Sequence, residues 1–296
     1  MEELNNYSFQ VDSNIIQELR NLDNYKVIYE KTELSEPNVC AVYFSSNYIY
    51  FPNTESSVKK SIQEKDRYEW WNLKYPAASK HIFIRDIYKQ WYLHGINSSI
   101  NSIEKMCDLL KTEIKGYETV FIGSSAGGFA AVLIGSMLHV DKVYAFNNQF
   151  FLTDLFEKSD PKTDPLIFRE KENPEINKYY DISPFIKNSE NIYYFHSNKS
   201  DWDIRQYKSV KDLSLNVISI NTSIHGIPLL KNNLIELFKL NDAELKNLTN
   251  KKLNPIGFSF KIVGIKQTTM FMFHMIPNAY MRFLHNPIRR IFRKSN

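Results

Sequence analysis

With 296 residues, 43% of them hydrophobic and 14% aromatic, the chain can bury about three quarters of its unfolded surface, which excludes a disordered protein. Nine glycines and eleven prolines exclude collagen-like and low-complexity arrangements. The net charge of +4 is uneven, since residues 251–296 hold nine Lys or Arg and no Asp or Glu, leaving the first 250 residues at −5.

Seven runs read as strands in chain order: residues 26–29, 39–44, 81–84, 119–122, 142–146, 192–195 and 217–220. Several are continuous apolar or β-branched stretches without strict alternation, the pattern of strands covered on both faces. Helical periodicity lies between them. It is clearest over 100–114, where Ile100, Ile103, Met106, Cys107, Leu110 and Ile114 recur at spacings of three and four, and it returns over 129–138 and 229–240. The expected fold is therefore α/β, a mostly parallel sheet flanked by helices. Residues 1–250 form the main domain of this scheme. Within it, residues 151–189 break every period with Asp154, Asp160, Asp164, Pro161, Pro165, Pro174 and Pro184, and read as a lid-like insertion.

Residues 251–296 read as a basic aromatic C-terminal extension. Phe258, Phe260, Phe271, Phe273, Tyr280, Phe283 and Phe292 are interleaved with the cations, a pattern that suits an anionic membrane surface, an acidic polymer or a phosphorylated cofactor. Packing of the same aromatic residues onto the body is the equal alternative. The longest uncharged run, 267–281, contains Pro277 and falls short of the roughly 20 residues of a spanning helix. The two cysteines, Cys40 and Cys107, form no CxxC and read as packing residues, so neither a disulfide scaffold nor a metal site is expected. The start Met1-Glu2-Glu3-Leu4 lacks a basic segment followed by an apolar one, which makes a cytoplasmic location the expectation, with the tail free to rest against the inner face of the membrane.

The strand at 119–122 runs into Gly123-Ser124-Ser125-Ala126-Gly127-Gly128 and then into an Ala-rich helix. Gly-x-Ser-x-Gly between strand and helix is the pattern of a nucleophile elbow, in which small residues two before and two after the serine let strand and helix approach. A Walker A loop fails because Phe129-Ala130 follows where Lys and Ser/Thr are needed, and a purely structural tight turn is the remaining alternative. Ser125 is the candidate nucleophile, with the Ala126 N–H at the helix start as oxyanion donor. Of seven histidines, His225 alone lies on a loop after a late strand and before a helix, where the general base belongs. The orienting acid is expected on the loop after residue 195, with Asp201 favoured over Asp203 and the other carboxylate capping a helix that begins near Ile204. The second oxyanion donor is expected from Ser45 or Ser46, after the second strand. Arg85-Asp86 reads first as an internal ion pair or loop cap, and secondly, with Trp91 and Tyr92, as lining of an acceptor pocket.

Gly123-Ser124-Ser125-Ala126-Gly127, Asp201 and His225-Gly226, in that order, resemble the α/β-hydrolase superfamily over about residues 25–240. The Arg85-Asp86 and Trp91-Tyr92 segment, the Lys- and Asn-rich composition and the basic aromatic tail are similar to bacterial proteins of surface-polysaccharide loci. Some of those are α/β-hydrolase-like O-acetyltransferases of capsule or glycoprotein sugars. The chain has no His-Gly-Gly-Gly run, unlike lipases. Serine chemistry of this kind proceeds through an acyl-enzyme. The resemblance implies a polysaccharide or oligosaccharide acceptor, acetyl-CoA as co-substrate, no permanently bound cofactor and no nucleic-acid partner. An ester hydrolase with the same triad and a non-catalytic glycan-binding or membrane-assembly scaffold are the alternatives.

Overall fold

The central β-strands send successive side chains to two different hydrophobic clusters. In a computed structural model that describes residues 11–31 and 38–270, Cys40, Val42, Phe44 and Phe121 enter one cluster while Val39, Ala41, Tyr43, Val120 and Ile122 enter the other. The apolar runs are thus buried on both sides, and full burial contributes about 1.5–3 kcal/mol for each large side chain.

The strands are β1 (Tyr25–Tyr29), β2 (Val39–Phe44), β3 (Ala78–Ile84), β4 (Glu118–Ser124), β5 (Lys142–Phe146), β6 (Ile192–Ser197), β7 (Asn216–Ile220) and β8 (Lys252–Leu253). They form one sheet in the order β1-β3-β2-β4-β5-β6-β7-β8, with β1 antiparallel to β3 and all other neighbours parallel. The main flanking helices are α1 (Ile103–Glu113), α2 (Ala126–Leu138), α3 (Asp201–Ser209), α4 (Asn233–Phe238) and α5 (Pro255–Ile262). Met106, Cys107 and Leu110 of α1 and Phe129 and Leu133 of α2 cover the first face, whereas Leu234, Leu237 and Phe238 of α4 and Phe258 of α5 cover the second. The sheet, its helices and the strand-turn-helix junction between β4 and α2 make an α/β-hydrolase-like fold.

Seven strands coincide with the expected runs, and the eighth comes from the segment expected as an extension. β8 pairs with β7, and Phe258 of α5 is 5% exposed in the core, so β8 joins the sheet and α5 its cover. The remaining tail, 271–296, lies outside the described residues. The helix expected over 229–240 is confined to α4, because Leu229 buries itself from the preceding loop. Between β5 and β6, residues 151–189 form the short helices Leu155–Lys158, Pro165–Arg169 and Pro174–Asn177 and a 3-10 turn at Ser183–Phe185. Leu152, Leu155, Ile167, Tyr179, Tyr180 and Ile182 anchor this insertion in the first hydrophobic cluster.

Candidate active site

The junction of β4 and α2 is close because two glycines permit it. A Cβ on Gly123 would lie 2.1 Å from the Gly127 carbonyl oxygen, and one on Gly127 would lie 2.2 Å from the Phe44 carbonyl oxygen. Between them Ser125 adopts φ 52° and ψ −125°, a left-handed conformation that L side chains rarely occupy and that persists only where surrounding structure imposes it. Its N–H donates to the Phe146 carbonyl at 2.9 Å, which ties the bend to β5. Phe129 is the first residue of α2 whose N–H closes back, onto the Ser125 carbonyl, so the N–H groups of Ala126 to Gly128 have no intrahelical acceptor.

His225 comes to this bend from 100 residues further along. Its Nε2 lies 2.9 Å from Ser125 Oγ. Its Nδ1 lies 2.9 Å from Asp203 Oδ1, and the imidazole side chain is 42% exposed while that of Asp203 is fully buried. Serine, imidazole and carboxylate therefore stand in one hydrogen-bonded line, the arrangement that lets a base take the serine proton while the acid fixes its tautomer.

The favoured acid, Asp201, is not the one that meets the imidazole. α3 starts three residues earlier than the sequence suggested and is capped by the Ser200 hydroxyl, which accepts from the Asp203 N–H. Asp201 is consequently the first helical residue and exposed, and Asp203, two positions or about 200° around the helix, faces inward. One oxygen of Asp203, Oδ2, has no hydrogen-bond partner among the described residues.

Both N–H groups expected for the second oxyanion donor are occupied. The Ser45 N–H donates to the Ile84 carbonyl at 2.9 Å. The Ser46 N–H donates to the Glu69 carboxylate at 2.5 Å, and the Ser46 hydroxyl donates to the same carboxylate at 3.1 Å. Of the three expected donors, only the Ala126 N–H stands at a helix start without an intrahelical acceptor.

Arg85, Trp91 and Tyr92 are buried at 2%, 6% and 0% exposure, which corrects their expected place on an acceptor pocket. Arg85 bonds Asn24, Asp66 and the Arg67 carbonyl, so its ion pair is with Asp66 and not with Asp86. Asp86 instead accepts the N–H groups of Tyr88, Gln90 and Tyr92, acting as a loop cap, and burial pushes its carboxyl up. Trp91 Nε1 donates to Gln149, and the Tyr92 hydroxyl donates to the Ser45 carbonyl at 2.7 Å. Through its hydroxyl, Tyr92 ties the loop after β2 to the segment after β3. A groove of about 410 Å³ lined by Glu18, Leu19, Ile62, Asp66 and Arg85 includes no member of the Ser125–His225–Asp203 line.

Other nucleophiles and bases are set aside by their surroundings. Burial pushes the thiols of Cys40 and Cys107 up to about 12, so neither is a thiolate at neutral pH. His196 is buried between the rings of Tyr194 and Tyr207, and burial lowers its pKa to about 4.

Two residues that sequence reasoning passed over position the imidazole. Asn147, at the end of β5, donates through Nδ2 to Ser197 Oγ at 2.8 Å and to the Ile224 carbonyl at 3.1 Å. Ser197 donates through its hydroxyl to that same carbonyl at 2.5 Å. Both are buried, and together they clamp the peptide immediately before His225. The polar run Asn147-Asn148-Gln149 after an apolar strand is a sequence signal that could have found Asn147, whereas Ser197 carries none.

No family model and no curated protein matches the chain. Among solved structures it is similar to the capsule O-acetyltransferase of Neisseria meningitidis serogroup A, at 13% identity over 74% of this chain and 89% of that one, with a TM-score of 0.49. A variant of that enzyme solved in complex with CoA aligns at 12% identity over 74% and 89%, with a TM-score of 0.45. A fluorophosphonate-binding serine hydrolase of Staphylococcus aureus aligns at 8% identity over 66% and 82%, with a TM-score of 0.41.

Proposed function

We propose that the protein is a serine-dependent acyltransferase, and that its reaction is O-acetylation of a bacterial capsular or surface polysaccharide with acetyl-CoA as donor. The observation that carries the serine chemistry is the unbroken line from Ser125 Oγ through His225 to buried Asp203, each contact 2.9 Å. Ser125 Oγ attacks the acyl carbonyl as His225 Nε2 takes its proton, and Asp203 steadies the imidazolium. The Ala126 N–H receives the oxyanion at the start of α2. Collapse expels the thiol, which takes the proton from His225 and leaves an acyl-enzyme. A sugar hydroxyl then gives its proton to His225 and attacks the ester, and the acyl group moves to the acceptor with return of the proton to Ser125.

The choice of a glycan acceptor follows the sequence resemblance to surface-polysaccharide loci. Ester hydrolysis is the second reading, favoured by the 42% exposure of His225, which leaves water a path to the base. Incubation with acetyl-CoA, with and without capsule-type oligosaccharides, separates them. Acceptor-dependent thiol release supports transfer, while equal release without acceptor supports hydrolysis. If a fluorophosphonate labels no residue of the protein, serine chemistry itself is rejected in favour of a glycan-binding or membrane-assembly scaffold.

The tail is part of the proposal. Residues 271–296 carry five Arg or Lys and no acid, a composition suited to peripheral contact with an anionic membrane. Deleting them should weaken sedimentation with phosphatidylglycerol vesicles in a salt-sensitive manner, and unchanged sedimentation would reject the contact.

A further inference from the structure

The loop after β2 is aligned with the nucleophile bend. Phe44 pairs with Gly123 in the sheet register, and the Gly127 position would place a Cβ 2.2 Å from the Phe44 carbonyl oxygen and 3.0 Å from that of Ser45. Ser45 and Ser46 therefore follow β2 just where the second oxyanion donor is needed. At that spot the structure already holds an anion. Glu69 accepts both the N–H and the hydroxyl of Ser46. It forms no ion pair among the described residues, so its negative charge is held by neutral donors alone.

The backbone beneath this carboxylate is fixed. Tyr68 and Trp70 on either side are 6% and 1% exposed, the Trp70 indole N–H donates to the Phe44 carbonyl at 3.0 Å, and the Glu69 N–H donates to Ser45 Oγ at 3.3 Å. Any departure of the carboxylate is thus a rotation of the half-buried Glu69 side chain on an anchored strap. Two like charges cannot share one donor a few ångströms apart, so an oxyanion formed while Glu69 is seated on Ser46 meets repulsion in place of a hydrogen bond.

We propose that Glu69 is a shutter on the oxyanion site, a positioning residue that withholds the Ser46 N–H until another group draws its carboxylate away. The inference rests on the serine acyl chemistry proposed above and adds how that chemistry is held back. The group that displaces Glu69 must donate hydrogen bonds to a carboxylate. A polyhydroxylated acceptor does so and a simple acyl ester does not, and on this basis the resting protein is slow to pass its acyl group to water.

The test uses the full chain with two variants, Glu69→Gln, which keeps shape and an acceptor but removes the charge, and Glu69→Ala, which removes both. The readouts are the second-order rate of labelling by an uncharged fluorophosphonate, the rate of p-nitrophenyl acetate cleavage, and the thermal midpoint. A single oxyanion donor contributes about 10²- to 10³-fold in rate, so freeing one should accelerate both reactions, by about tenfold or more in Glu69→Ala and by less in Glu69→Gln. A group that merely braced the loop would, on removal, slow both reactions and lower the midpoint, and that result overturns the proposal. Labelling of Ser125 at equal rates in all three forms also overturns it while leaving serine chemistry standing. Absence of labelling in every form removes both.

Discussion

Asp203, with a side chain wholly shielded from solvent, meets a half-exposed His225 at 2.9 Å across 22 positions of sequence. The contact assigns unequal weights to two neighbouring carboxylates. Replacing Asp203 with Asn should lower kcat/KM by about 10³- to 10⁴-fold, or about 4–5.5 kcal/mol, because the imidazole is then held in the wrong tautomer. Asp201→Asn should stay within about twofold, since that exposed side chain lies on the far side of α3. Steady-state cleavage of p-nitrophenyl acetate by the two variants decides it, and similar losses in both would undo the assignment.

The backbone of Ser125 stores strain that chemistry requires and stability does not. Its φ of 52° with ψ of −125° is a conformation glycine adopts freely. Ser125→Gly should therefore be inactive yet more stable than Ser125→Ala by about 1–2 kcal/mol. Urea unfolding of the two variants measures the difference, and equal midpoints would show that the bend is relaxed.

Asn147 hydrogen-bonds neither Ser125 nor His225, but its amide holds the Ile224 carbonyl beside His225. Asn147→Ala removes that restraint and takes two hydrogen bonds from buried Ser197, one on its hydroxyl and one on its N–H. We expect stability to fall by about 1–3 kcal/mol and kcat by about 10- to 100-fold through displacement of the imidazole. A loss of stability with kcat intact would confine Asn147 to the scaffold.

His196 gives the protein an acid limit. Burial, opposed by the charge of Asp203, lowers its pKa from 6.5 to about 4. Between those values the unfolded chain binds a proton that the folded chain does not, so the contribution is complete above pH 6.5 and disappears as pH falls toward 4. The loss should approach about 3 kcal/mol. His196→Gln should flatten the dependence of the urea midpoint between pH 6.5 and 4.5, and an unchanged slope would place the titration elsewhere.

The sheet was readable because its strands are buried on both faces, so apolar runs such as Val39–Phe44 and Lys142–Phe146 appear with their observed limits. The elbow was readable because Gly123 and Gly127 are demanded by contacts near 2 Å that no other residue tolerates. β8 escaped notice because two residues are too few to show a period, and their pairing partner, Ser219–Ile220, is more than thirty positions earlier. Asp201 and Asp203 could not be ordered because the answer depends on where α3 begins, and Ser200, a modest cap, sets that start. Glu69 left no trace in the sequence, since it meets Ser46 from 23 positions away and one of its two donors is a peptide N–H that carries no residue identity.

The late arrival of β8 governs how the basic tail can be removed. A protein ended at residue 250 would lack the Leu253 carbonyl that receives the Asn221 N–H at 2.7 Å, together with the Phe258 ring. β7 would then become an open border with unsatisfied backbone groups, a template onto which further copies could polymerise. Such a fragment would sediment by itself and mimic lipid attachment, so the informative cut falls after residue 270.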